Sequence, residues 1–298
     1  MNIGLADRLT IAMRFRWRTY ARLIEIEHTV FSLPVAYAGA WMAEPRVLPA
    51  DWGLILVALF GARTAAMALN RWLDRDIDAQ NPRTAQRELP AGKVRPLEVY
   101  GLIGGGFALF AVAAALLSPW CLILAPIPAA VFWIYPQMKR WTPWTHLGVG
   151  SALAFAPLGG FLGIVKTPEM MVYHPHLPDV MLLSVFVLAW VAGFDVIYAM
   201  LDVAFDRAAG LYSIPACWGE QVGLRVARLL HVLGLLALVT IHARHPTWTW
   251  TAGVAWTGLC GLFMIQHAWA QKGRFAAAFF QANAAVGFAV FALIWTIF

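Results

Sequence analysis

Charge is what this chain has least of. Only 13% of its 298 residues are Asp, Glu, Lys or Arg, against about 25% in an ordinary soluble domain. Cysteine is scarce as well. The three present, Cys121, Cys217 and Cys260, form no CxxC pair, which excludes a disulfide framework and leaves them as small packing residues. Heptad and collagen periodicities are missing, and so are the polar tracts of a disordered chain. The first 22 residues are arginine-rich and lack the continuous apolar core of a cleavable leader. In place of all these stands apolar content of 61%. A soluble fold of this size has no interior large enough for it. The composition therefore predicts an all-α polytopic membrane protein.

About nine stretches are long and apolar enough to be spans: 26–43, 52–70, 98–118, 119–136, 145–165, 179–203, 221–242, 248–267 and 276–298. The third and fourth meet at Ser118-Pro119, a turn signal. Basic residues set the orientation. Arg8, Arg14, Arg16, Arg18 and Arg22 precede the first span. Arg71, Arg75, Arg83, Arg87, Lys93 and Arg95 follow the second. Lys139, Arg140, Arg207, Arg225, Arg228, Lys272 and Arg274 fall on the same side further on. Only Arg46, Lys166 and Arg244 fall opposite, and Arg63 lies within a span. The asymmetry predicts a cytoplasmic N-terminus and, with nine spans, an outer C-terminus. Residues 1–25 then form a cytoplasmic arm. Leu5, Leu9, Met13, Trp17 and Tyr20 recur there at helical spacing, so the arm is either a surface helix or a simple topology anchor. Nothing divides the rest, and 1–298 reads as one domain. The net charge of +6 comes with no basic-aromatic module, so nucleic acid is not an expected partner.

The 16 acids are distributed unevenly. Asp74, Asp76 and Asp78 follow the second span. Asp195, Asp202 and Asp206 end the sixth. Both spans run inward in the predicted topology, so both groups lie at cytoplasmic mouths. Asn70, Asp74 and Asp78 are four apart and would share one helix face. Asp202 and Asp206 do the same, with Asp195 two turns higher. Arg63 stands seven before Asn70. Like charges so spaced disfavour a helix unless positive charge lies between them. Oxygen ligands of this kind suit a hard cation, and Mg²⁺ in particular binds through a few carboxylates together with substrate phosphates. Basic residues lie on the same side: Arg83 and Arg87 after the first group, Lys139 and Arg140 after the fourth span, and Arg207 after the second group.

These segments resemble the UbiA family of intramembrane aromatic prenyltransferases. Asn70, Asp74 and Asp78 match its NxxxDxxxD motif. Asp195, Tyr198-Ala199-Met200, Asp202 and Asp206 match DxxYAMxDxxxD. Arg83-Thr84, Arg87, Leu89-Pro90 and Gly92 match RTxxRxLPxG, and Tyr135-Pro136, Met138, Lys139 and Arg140 match YPxMKR. The resemblance covers nearly the whole chain. It implies a bundle around a central cavity in the bacterial-type inner membrane, with its active site facing the cytoplasm. It implies Mg²⁺ held through Asn70, Asp74, Asp78, Asp202 and Asp206, the four aspartates being catalytic. It implies substrate contacts from Arg63, Asn70, Arg83, Arg87, Lys139, Arg140, Asp195 and Tyr198. The substrates would be a polyprenyl diphosphate and a hydroxylated aromatic acid in ubiquinone or menaquinone synthesis, 4-hydroxybenzoate or 1,4-dihydroxy-6-naphthoate. Oligomeric state is not implied.

Two positions depart from the family pattern. Arg71 replaces a common second Asp, for which Asp76 is a candidate substitute. Glu25 stands where many members carry a basic residue, and Arg22 is one turn earlier. Two rival classes remain. An ion-coupled transporter would place its acids near the membrane midplane. A lipid phosphatase would need a catalytic histidine beside Arg/Lys motifs, and no histidine is expected to accompany either acid group. His174 and His176 form an HPH pair in an outer loop and read as ordinary polar loop residues. His28 reads as a satisfied membrane histidine, and Trp248 and Trp250 as an aromatic belt.

Overall fold

The computed structural model describes residues 16–298. The amphipathic segment predicted for the arm falls mostly in 1–15 and lies outside the described residues, as does the side chain of His28. Among the described residues the secondary structure is helical throughout, with no strand. Residues 16–23 are helical, and a 3-10 turn at Ile26–His28 leads into α1 (Thr29–Ala43). Then come α2 (Pro49–Leu73), the short α3 (Arg75–Gln80) and α4 (Pro96–Leu117). A broken pair, α5 (Pro119–Leu124) and α6 (Pro126–Met138), is followed by α7 (Thr145–Val165) and α8 (Pro168–Val172). The second half holds α9 (Leu177–Tyr198), α10 (Val203–Ala208), α11 (Ile214–Trp218), α12 (Glu220–Arg244), α13 (Trp250–Gln271) and α14 (Phe275–Ile297).

Local chemistry sets these boundaries. Proline opens α2, α4, α5, α6 and α8, where its missing N–H is not needed. Ser118, between α4 and α5, accepts the Trp120 N–H at 3.2 Å, and so caps the turn predicted at Ser118-Pro119. Among the described residues, seven helical stretches are long and apolar enough to cross a membrane. They are α2, α4, α5 with α6, α7, α9 continuing through α10, α12 and α14. The other two predicted spans correspond to α1 and α13. With 15 residues, α1 is about 22 Å long, short of the about 30 Å hydrocarbon core. α13 has the length, with 22 residues, but Gln266, His267 and Gln271 dilute its apolar character.

α9 is the centre of the bundle. Val180, Leu183, Phe186, Val187, Trp190 and Val191 are buried along one broad face, while Met181 and Val185 stay exposed; from Ala189 to Ile197 burial extends around most of the helix. An apolar helix buried to this extent is one that other helices pack against on several sides. Around it pack Val35 and Met42 of α1, Phe161 of α7, Leu238 of α12, Leu259 of α13 and Leu293 of α14. Large apolar side chains such as Leu116, Trp133, Leu236, Val254 and Phe288 point outward instead, as expected of a surface solvated by lipid.

Close approach of α1 and α7 depends on glycine. A Cβ at Gly39 would lie 2.0 Å from the Pro157 carbonyl oxygen, and one at Gly160 would lie 2.0 Å from that of Ala36. Small residues that let backbones touch are how helices associate without a hydrophobic driving force. Gly159 has no atom within 4 Å of such a Cβ. Gly39→Ala is therefore expected to destabilise the protein by about 1–3 kcal/mol through forced helix separation, while Gly159→Ala has no steric effect. Thermal unfolding of both variants in detergent checks this: equal Tm values would contradict the α1–α7 packing.

Candidate active site

Both aspartate motifs sit where a helix breaks. α2 stops at Leu73, and Asp74 adopts φ −97°, ψ 3° before α3 begins. α9 stops at Tyr198, passes through a 3-10 turn at Ala199–Asp202, and Asp202 adopts φ −114°, ψ 4° before α10. These are nearly the same backbone conformation, in the sparsely populated bridge region where active-site residues recur. The stripes predicted to run along continuous helices are thus bent at Asp74 and Asp202. Gly210, at φ +67°, then ends α10 in a conformation that suits glycine. The returning chain lets the Tyr212 N–H donate to the Lys139 carbonyl at 2.7 Å, which ties the second motif to the end of α6.

A polar cavity of about 240 Å³ lies between the motifs. Asn70, Asp78, Asp195, Tyr198, Asp202 and Asp206 line it, with Arg83, Arg87 and Lys139 opposite. Charges are matched in pairs. Arg87 Nη1 donates to both oxygens of Asp78, at 2.8 and 2.9 Å. Arg83 Nε donates to Asp202 Oδ1 at 2.8 Å, its Nη2 to Oδ2, and its Nη1 to the Tyr198 hydroxyl at 2.9 Å. Asn81 Nδ2 adds a bond to Asp202 at 2.8 Å. Lys139 Nζ donates to Asp74 Oδ2 at 2.7 Å, and an Arg140 nitrogen lies 3.8 Å from Oδ1. Ser213 donates to Asp206 at 3.3 Å.

These pairings perturb the groups in opposite senses. Burial holds the Asp74 carboxyl above its ordinary value, with the Lys139 ammonium pulling the other way. Burial also opposes the charge on Arg83, but its bonds to Asp202 and Tyr198 outweigh this and raise its pKa. Asp74 Oδ1 is buried with no hydrogen-bond partner. An orphaned carboxylate oxygen next to a cavity lined by further carboxylates and an Asn amide fits a hard cation such as Mg²⁺.

The predicted residues do not all meet in one place. Asp74 and Arg140 lie beside the polar cavity rather than on its wall. Arg63 faces a second, apolar cavity of about 340 Å³, lined by Ala62, Phe110, Leu117, Phe132, Leu153 and others from α2, α4, α6 and α7. Met67 and Tyr135 line both cavities, so the two adjoin there. Arg63 Nε is buried without a hydrogen bond.

Three expectations need correction. A histidine does accompany the second motif: His146, in the first turn of α7, is 1% exposed. Its Nδ1 lies 2.7 Å from Asp195 Oδ2, and its Nε2 accepts the Ile214 N–H at 3.3 Å. Since Nε2 accepts, Nδ1 carries the proton and donates to Asp195. The signal missed was tertiary, because His146 is 49 residues from Asp195. Asp76 does not replace the missing second acid; it is exposed and pairs with Arg75 at 3.2 Å. Arg22 is exposed, and the charge facing the cavity near it is Glu25. Arg71 and Glu25 prove to be partners, joined by a salt bridge, with Arg71 Nε also donating to the Leu23 carbonyl at 3.3 Å. The two departures thus form one ion pair in this chain. Glu25 occupies left-handed backbone at φ 46°, which a non-glycine residue adopts against some strain.

With this geometry in place the comparisons are decisive. Residues 32–297 match the model of the UbiA prenyltransferase family. The chain belongs to this family. A solved apo UbiA homolog from Aeropyrum pernix K1 is 34% identical, with TM-score 0.81, over 91% of this chain and 98% of that one. A UbiA homolog from Archaeoglobus fulgidus bound to DMAPP and Mg²⁺ shares the fold, with TM-score 0.66 at 17% identity over 92% and 99% of the chains. The 4-hydroxybenzoate octaprenyltransferase of Idiomarina loihiensis is 30% identical over 85% of this chain and 84% of its own. That of Sodalis glossinidius is 27% identical, over 85% of each.

The Glu25–Arg71 pair yields a test within this UbiA member. Glu25→Ala leaves the buried Arg71 without its carboxylate. Breaking a buried pair costs about 3–5 kcal/mol, and the partial exposure of Glu25 puts this case toward or below the lower end. The reversed double variant Glu25→Arg, Arg71→Asp is expected to recover most of the loss. A double-mutant cycle of Tm values checks this, and additive losses would refute the pairing.

Proposed function

We propose that the chain transfers a polyprenyl group from a polyprenyl diphosphate to a hydroxylated aromatic acid of the 4-hydroxybenzoate type, in quinone biosynthesis. One observation carries the reading. A polar cavity walled by matched acids and bases adjoins an apolar one at Met67 and Tyr135. An amphiphile with an anionic head and a hydrocarbon tail has that shape and polarity. The relatives named as 4-hydroxybenzoate octaprenyltransferases support the acceptor class.

Asn70, Asp74, Asp78, Asp202 and Asp206 would hold Mg²⁺, which when bound offsets diphosphate charge and helps the group depart. The remaining work falls to the chain. Arg83, Arg87, Lys139 and Arg140, now on carboxylates, are within reach of diphosphate oxygens once the acids are engaged elsewhere. Apolar walls around the tail keep water from the carbon where the C–O bond breaks. Tyr135 lies at that junction and presents a ring to developing positive charge. Arg63, with its free Nε, orients the acceptor carboxylate. The new C–C bond forms at the ring, and the ring proton passes to a carboxylate oxygen of Asp195, which His146 holds in place. Tyr198 fixes Arg83.

The same reading places nine spans in a bacterial-type inner membrane, including α1 and α13. It treats 1–298 as one domain, with the arm of 1–25 and the acid motifs on the cytoplasmic side.

Purified membranes given Mg²⁺, a polyprenyl diphosphate and either 4-hydroxybenzoate or 1,4-dihydroxy-6-naphthoate are expected to form prenylated product, detected by mass spectrometry. Product from neither acid overturns the acceptor class. Asp74→Ala and Asp202→Ala should each reduce turnover by at least about 100- to 1,000-fold while the protein stays in the membrane. Full activity in either variant refutes the role of the acids.

A further inference from the structure

The HPH pair has a tertiary context that its sequence does not show. His176 caps the start of α9, and Asp179 lies in the first turn of that helix. His245 ends α12. Folding brings these three side chains together at the opposite end of α9 from the acid motifs, about 30 Å away along the helix. The ligand atoms of His176, Asp179 and His245 all lie within 4.8 Å of one another.

The arrangement is directional. Asp179 is fully buried, and its two oxygens have separate environments. Arg244 Nε donates to Oδ1 at 2.6 Å. Both imidazoles converge on Oδ2, His245 Nε2 at 2.9 Å and His176 Nδ1 at 3.4 Å. The second distance exceeds the about 2.7–3.2 Å of an N–H···O bond. It matches the about 3.3–3.6 Å between neighbouring ligands of one tetrahedral Zn²⁺ with bonds near 2.0–2.2 Å.

The surroundings hold the ligands in place. The His176 N–H donates to His174 Nδ1 at 3.2 Å, and His174 Nε2 donates to the Ala43 carbonyl at 3.1 Å. His174 is therefore a neutral, fixed support rather than a ligand. Phe298 packs on both ligand rings, 4.7 Å from His176 and 4.6 Å from His245 between centroids. Arg244 on Oδ1 is the partner that orients a ligating carboxylate and leaves its other oxygen for a cation.

We propose that His176, Asp179 and His245 bind a divalent cation of the zinc class, leaving a fourth position open. Two imidazole nitrogens and one carboxylate oxygen are zinc-type donors. They differ from the all-oxygen set at the acid motifs, so the two sites sort cations by ligand chemistry. Such an ion would staple the start of α9 to the end of α12, and through His174 to the end of α1. The proposal is independent of the transfer reaction.

The test uses the full-length protein with a non-histidine affinity tag, in detergent with excess Mg²⁺ to occupy the acid motifs. After chelation and dialysis the protein is loaded with ZnCl₂, desalted, and its zinc counted by mass spectrometry. One zinc per chain is expected in the wild type and in Asp74→Ala with Asp202→Ala. Background zinc is expected in His176→Ala and in His245→Ala. Co²⁺ should give the visible bands of a tetrahedral site in the wild type and in the aspartate variant, and in neither histidine variant. Should either alanine variant fail size-exclusion as a folded species, His245→Gln replaces it and is expected to lose zinc equally. Zinc retained by the histidine variants, or lost by the aspartate variant instead, overturns the proposal. So does a wild type that retains none, which would leave an Asp179–Arg244 ion pair alone.

Discussion

Compensation of charge at the acid-motif end of the bundle is the constraint on which the site depends. Carboxylates buried beside apolar helices are unfavourable unless each meets a positive group. Asp74 meets Lys139, Asp78 meets Arg87, and Asp202 meets Arg83. Arg83 and Lys139 come from segments far from their acids in sequence, and Arg87 from the loop just after its own, so the pairs also fix the loop 81–95 and the end of α6 against the two motifs. The balance has a chemical meaning. Acids and bases satisfied by each other can exchange those partners for a cation and an anion that arrive together.

The helix breaks make this exchange geometrically possible. On an unbroken helix, carboxylates four residues apart point the same way and repel. Asp74 and Asp202 instead occupy matching bridge-region conformations at the ends of α2 and α9. Each motif therefore turns a corner, and its second half lies across the mouth of the cavity. Ser213 shows how economically the second corner is built: its hydroxyl donates to Asp206 and accepts the Ala216 N–H that opens α11.

The apolar half of the molecule follows a different rule. α9 is enclosed by α1, α7, α12, α13 and α14, while α4 and α6 are mostly lipid-facing and flank the apolar cavity. The closely packed side thus carries the Asp195 motif, and the side beside the apolar cavity carries Arg63. Tyr135 and Met67 stand where the two cavities meet. The Glu25–Arg71 pair lies on the polar wall nearby and balances its own charge there.

Composition and pattern alone determined that the chain is helical and membrane-embedded, because lipid leaves no other solution for so many apolar residues. Spacing singled out Asn70, Asp74, Asp78, Asp195, Asp202 and Asp206, and together with the RTxxRxLPxG and YPxMKR segments it picked out the family, since residues four apart fall on one face of a helix. Only the tertiary structure decided which base meets which acid, that Arg63 faces the apolar cavity, and that Asp76 stands outside the site. It alone brought His146 to Asp195 across 49 residues and His245 to His176 and Asp179. The physical reason is the same in each case. Periodicity describes neighbours on one helix, whereas these contacts are made between helices whose packing angles and close approaches the local sequence does not encode.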